Sequence, residues 1–243
     1  MVEDIDKARE FVVREQPAVS FSIKRRLIRL ERELQSMETK VKNAKSSGSL
    51  YGIDSKLPIV KAVLVLEDRS FFRHYGFDWK SIFRAIKRFF KGRGFGGAST
   101  IDQQVVRIIS ERYERTISRK LKETIKAVLL NARVSKQCIL LYYLNNSYFG
   151  YRLVGVEATS KHIFGSAARE LDRDQACFVA SLLPLPLPKK VYVSLLSDCA
   201  KPVTPEEVIS ISQKFSPRWA DRVNYRYRHA RASIDRKIEY PRD

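Results

Sequence analysis

The sequence predicts a mainly α fold, and three observations carry that prediction. Segment after segment repeats its apolar residues three and four apart, the mark of one helix face. Strictly alternating runs, which half-buried strands require, are scarce. Of 243 residues, 44% are apolar, enough for one large core or two small ones.

Along the chain, Ile23, Leu27, Leu30, Leu34, Met37 and Val41 alternate four and three apart on a basic helix. Three readings of that seam stay open: packing on its own domain, a short coiled coil, or a helix lying on an anionic membrane. The small residues of NAKSSGSLYG then read as a linker, so residues 1–50 form an N-terminal helix with its linker. SIFRAIKRFF repeats Ile82, Phe83, Ile86, Phe89 and Phe90. TISRKLKETIKAVLLNARV repeats Ile117, Leu121, Ile125, Val128, Leu129 and Ala132. A third helix, KQCILLYYLNN, ends near Asn145-Asn146, and a fourth, LDRDQACFVASLL, is stopped by Pro184. Residues 51–190 are therefore the core region. From 191 to 243 the pattern weakens into a basic extension with a helix-like tail, RWADRVNYRYRHARASIDRKIE.

The net charge of +19 and pI near 10.0 create a field for anions. Nucleic acid, anionic lipid and pyrophosphate all fit it, and charge alone does not choose. Cys138, Cys177 and Cys199 are too few and too widely spaced for a disulfide framework or a zinc site, and read as apolar fillers. Acids interrupt the first sixteen residues, so a cleavable secretory signal is not expected. No apolar run reaches the ~18 residues a spanning helix needs.

Three stretches could carry chemistry. VLEDRSFFRHYGFDW ends an apolar run on Glu67 and Asp68. A carboxylate beside apolar residues is pushed toward the basicity of a general base, while neighbouring arginines pull the other way. The competing reading is the solvated end of a helix. GFGGASTIDQQVVR, residues 94–107, offers glycines and then hydrogen-bonding side chains suited to a sugar or a phosphate, or else is a solvated loop. RTISRKLKE holds Arg119 and Glu123 four apart: a surface ion pair, or cations around a second carboxylate able to bind a diphosphate.

Taken in order, these stretches resemble the motifs of the peptidoglycan glycosyltransferases of family 51. EDRSFFRHYGFD resembles the first motif, Glu-Asp-x-x-Phe-x-x-His-x-Gly. GASTIDQQVVR resembles the second and RKLKE the third, Arg-Lys-x-x-Glu. ILLYYLNNSYFGYRLVGVEATSKHIFG and the stretch up to SLLPLP resemble the fourth and fifth.

The resemblance implies a mainly α, partly lysozyme-like glycosyltransferase lobe with a smaller membrane-facing lobe. It implies inverting transfer of a growing glycan from polyprenyl diphosphate to the 4-hydroxyl of lipid II. Glu67 is then the base, with Asp68 supporting it, and Glu123 the second catalytic carboxylate. Ser99, Gln103 and Gln104 position sugar and phosphate; Arg107, Arg115 and Lys120 stabilise the diphosphate. Phe72, His74 and Gly76 match the first motif as packing and turn residues. No cofactor is obligatory, although Glu123 is a candidate ligand for a divalent cation, Mg or Mn. Expected partners are lipid II, the growing strand, an anionic membrane surface and cell-wall synthesis proteins, with no nucleic acid, at the outer face of the cytoplasmic membrane.

Three departures stand out. Asp102 replaces the usual threonine and is expected to add negative charge beside the diphosphate site. Arg107 stands where lysine is usual, keeping the charge but changing its geometry. The transmembrane helix that usually precedes the first motif is not found. Two rival functions follow: a scaffold that binds lipid-linked glycan without turnover, and a basic nucleic-acid-binding protein.

Overall fold

The computed structural model describes residues 18–44, 56–80, 83, 87, 99–114, 116–197, 201–235 and 238, with side chains from residue 22. The SIFRAIKRFF segment, apart from Phe83 and Lys87, lies outside the described residues, as do Gly94–Ala98, Arg115 and Cys199. The chain divides into two units, Met1–Ser36 and Met37–Asp243, with the boundary inside helix α1 (Ala18–Asn43). In the first unit Ile23, Leu27 and Ile28 are exposed among arginines and lysines. In the second, Met37 and Val41 belong to the core, so that end of the seam packs on its own domain.

The rest of the second unit is mainly α. After α1 come α2 (Pro58–Glu67), α3 (Ile101–Ser110), α4 (Ile117–Asn131), α5 (Lys136–Asn146), α6 (Val156–Phe164), α7 (Arg173–Ser181), α8 (Lys189–Ser197), α9 (Pro205–Phe215) and α10 (Pro217–Arg231). Strands β1 (Tyr148–Gly150) and β2 (Leu153–Val154) form one short antiparallel pair, Tyr148 opposite Val154. Among the described residues no helix is long and apolar enough to cross a membrane.

The core is organised around α2. Its sequence PIVKAVLVLE is apolar on nearly every face, which suits a helix surrounded by others. Pro58 sits at the first turn, where a missing N–H costs nothing. Six of its ten residues are buried, and it packs against α7, itself buried from Gln175 to Ser181. Helix α7 starts on a capping box between Asp172 and Gln175. Glu67 therefore stands where a largely buried helix of the core ends.

Helix α4 departs from expectation. Periodicity finds the helix, but its apolar stripe is not the packed face. Ile117, Leu121, Ile125 and Val128 are exposed, Ile117 at 90%, while Glu123, Ala127 and Leu130 are buried. A charged residue faces inward because it has cations to meet there. Cys138 and Cys177 are buried free thiols, and burial pushes Cys177 up to about 12, which suits inert filler.

Candidate functional site

The site is assembled around the first turns of α3. Thr100 caps that helix, accepting from Gln103 N, while Gln103 Oε1 accepts from Thr100 N. Thr100 Oγ1 donates to Gly76 O at 2.9 Å, and Ile101 N donates to Asp68 Oδ2 at 3.0 Å. The first and second stretches are thus tied together through a helix N-terminus, where a carboxylate is favoured by the dipole. Gly76 has φ +81°, and a Cβ there would lie 2.5 Å from Ala127 O of α4, so only glycine lets the three segments meet.

Consecutive helical residues point about 100° apart. Asp102, Gln103 and Gln104 consequently fan out over more than half the circumference of α3, each into its own network.

Gln104 faces Glu67. Its Nε2 donates to Glu67 Oε2 at 3.2 Å, and its Oε1 accepts from Tyr143 Oη at 3.0 Å, which fixes the amide's orientation. Arg226 Nη2 of α10 donates to Glu67 Oε1 at 2.5 Å. The Glu67 side chain is 14% exposed. Burial pushes its pKa above the ordinary value of 4.5; Arg226 and Gln104 oppose that rise without cancelling it.

Gln103 faces a second carboxylate. Its Oε1 accepts from Lys120 Nζ at 2.9 Å and its Nε2 donates to Thr124 Oγ1 at 2.9 Å. Lys120 Nζ also donates to Ser99 Oγ at 2.9 Å and Glu123 Oε1 at 2.7 Å, so all three ammonium protons are spent. Arg107, one turn along α3, reaches both oxygens of Glu123 at 3.1 and 3.3 Å, and Arg119 bonds Oε2. Glu123 is 3% exposed at its side chain. Burial alone would raise its pKa, but the hydrogen bonds and charges of Arg107 and Lys120 outweigh it, and the net shift is downward. A cavity of about 230 Å³ adjoins this clamp, lined by Arg107, Arg112, Arg119, Lys122, Lys126 and Glu123.

Asp102 faces neither glutamate's network. It is fully buried, accepting from Lys136 Nζ at 2.9 and 3.0 Å and Asn131 Nδ2 at 2.6 Å. His74 lies between it and Asp68, with Nε2 2.9 Å from Asp68 Oδ2 and Nδ1 3.9 Å from Asp102 Oδ2. The expectation that Asp102 loads negative charge onto a diphosphate site is corrected: its charge is met by Lys136 inside the core. Asp68, His74 and Asp102 have a metal-like spacing, each atom within 4.8 Å of the others, but the Lys136 ammonium already fills the cationic role there.

With this geometry in place, comparison with known proteins is decisive. A family model described as transglycosylase matches residues 33–199, well over half the chain. The chain belongs to the transglycosylase family. Curated relatives carry the name biosynthetic peptidoglycan transglycosylase. One from Acinetobacter baylyi is 42% identical over 127 residues, 52% of this chain and 57% of the relative. One from Alcanivorax borkumensis is 40% identical over 127 residues, 52% of each chain. One from Shewanella denitrificans is 41% identical over 138 residues, 57% of this chain and 59% of the relative. The aligned part thus spans little more than half the length of these transglycosylases.

Of the residues singled out in the transglycosylase motifs, Glu67 and Gln104 meet in one network, and Ser99, Gln103, Arg107, Lys120 and Glu123 in another. Asp68 braces the N-terminus of α3 instead of joining Glu67. Arg115 lies outside the described residues. Three contacts escape sequence reasoning. Arg119, in the Arg-Lys-x-x-Glu motif, reads in sequence as a surface partner of Glu123 or as one of the cations around it, but carries no site role of its own there. Tyr143 is hidden in an apolar helix. Arg226 lies 159 residues from Glu67 and in no motif.

Proposed function

We propose that this chain polymerises lipid II into glycan strands. The supporting observation is the pair of glutamates in opposite electrostatic surroundings, joined through adjacent glutamines of one helix. Glu67 is buried and raised toward useful basicity; Glu123 is kept anionic by a group of cations beside a groove. The reaction needs both environments. A weakly nucleophilic hydroxyl must lose its proton, and a diphosphate must leave with added charge.

In this reading Glu67 accepts the proton of the acceptor 4-hydroxyl as its oxygen bonds to the donor's anomeric carbon. The bond from that carbon to the diphosphate oxygen breaks with inversion. Arg107, Arg119 and Lys120 receive the departing charge, and Glu123 holds those cations at their posts beforehand. Ser99 and Gln103 orient Lys120; Gln104 orients Glu67. The exposed stripe Ile117, Leu121, Ile125 and Val128 lies on the helix that carries Lys120 and Glu123, and suits a lipid-linked substrate held at an anionic membrane.

Glu123 does not fit a divalent cation. Its oxygens already accept from two guanidiniums and an ammonium, and a metal would have to displace them. The scaffold reading loses one of its supports with Asp102, whose charge is met inside the core. Purified protein given lipid II should make glycan strands, and Glu67→Gln should make almost none. Binding of lipid II without strand formation by the parent would overturn the assignment in favour of the scaffold.

A further inference from the structure

The matched family segment ends at residue 199, yet of the two groups bonded to Glu67 among the described residues one comes from beyond it. Helix α10 is set rigidly. Ala220, Val223, Tyr227 and Ala230 form its buried face against α7, α9 and α2. Tyr227 Oη bonds Glu206 Oε1 at 2.9 Å, and Trp219 Nε1 donates to Leu185 O at 3.1 Å, so the helix cannot rotate without breaking contacts on two sides. Arg226 stands at the edge of that face, three residues after Val223. It reaches Glu67 on one side and lines a cavity of about 470 Å³ with Pro184, Leu185, Arg222 and Tyr225 on the other. Glu67 is its one acidic partner among the described residues, and its buried Nε makes no hydrogen bond there.

We infer that Arg226 is a positioning residue for Glu67, holding the proposed base as an oriented anion. The inference rests on the proposed role of Glu67. Gln104 alone fixes one carboxylate oxygen and supplies no charge; Arg226 fixes the other and supplies it. Among the described residues, Asp68 at its own helix end and Tyr143 from α5 also act on Glu67, and neither favours the anion. A latch is the opposite use of the same contact: Arg226 would then occupy the base and suppress turnover.

The test is polymerisation of lipid II across pH by the parent, Arg226→Gln and Arg226→Lys, with melting curves for all three. Arg226→Gln should lower kcat about 10-fold near neutrality with a smaller change in KM. Its acid limb should move up by about one pH unit, as expected when an opposite charge beside a carboxylate is removed. Arg226→Lys, which keeps the charge, should return the limb most of the way. If Arg226→Gln melts early, the pH position of its residual activity and that of Arg226→Lys still decide. A limb that stays in place, or turnover that rises, overturns the role of Arg226 while leaving that of Glu67 intact. A parent that makes no strand overturns both.

Discussion

Glu67 and Glu123 are the same side chain on two sides of one helix, and the protein treats them oppositely. Glu67 meets one amide and one guanidinium, and burial wins, so its pKa rises. Glu123 meets three cations, and they win over burial, so its pKa falls. The difference lies in both depth and partner count: Glu67 is set deeper among protein atoms, while Glu123 meets three cations. Two carboxylates whose environments push them apart can divide the work of proton acceptance and charge management.

The comparison breaks first at Glu67. Replacing it with glutamine keeps the shape and removes the basic oxygen, so strand synthesis should drop by roughly 10²–10⁴-fold. Turnover by radiolabelled lipid II incorporation would measure this, with a melting curve to check the fold. Retained turnover would mean the two glutamates are not specialised as described.

Glu123→Ala attacks the other side, leaving Arg107, Arg119 and Lys120 facing one another in a part-buried site. Removing one member of such a buried ion cluster should cost on the order of 3 kcal/mol, read as a lower urea midpoint. Inorganic pyrophosphate should raise the midpoint of this variant, because it can substitute for the lost anion. An unaffected midpoint would make Glu123 an ordinary surface acid.

A third substitution asks whether the Asp102 network is separate from both. Asp102→Thr strands Lys136 in the core and should cost about 3 kcal/mol, while Asp102→Thr with Lys136→Met should restore much of it. Turnover per folded molecule should stay near that of the parent in the double variant. A large loss of turnover with a restored melting point would place Asp102 in the chemistry after all.

Much of this arrangement is legible in the sequence, and the part that is not has a physical reason. Helices α5 and α7 follow from periodicity and stop signals, and Glu67, Gln103, Gln104, Arg107, Lys120 and Glu123 follow from motif order. Burial direction is harder: α4 turns its aliphatic stripe outward while Glu123 faces Arg107 of α3, a long-range pairing that local spacing does not contain. Asp102 was misjudged for a related reason. Its neighbours in sequence are site residues, but a turn of about 100° per residue sends it to a different face. Arg226 is illegible for lack of any local signal, since its role depends on how α10 docks against α7, α9 and α2.

The mildest perturbation is acid, and it separates the two glutamates without a mutation. A base works when deprotonated, so turnover is present above the pKa of Glu67 and falls about tenfold per pH unit below it. Because that pKa is raised, the fall should begin above 4.5. Glu123 has a lowered folded pKa, so its stabilising contribution is full above its unfolded value and is lost only as pH drops through the folded one. Acidification should therefore silence turnover while the Glu123 clamp still holds. Activity and unfolding followed in one titration should yield two separate midpoints, with activity the higher and recovered on return to neutral pH. Coincident midpoints would mean that loss of the fold, and not protonation of Glu67, sets the acid limb.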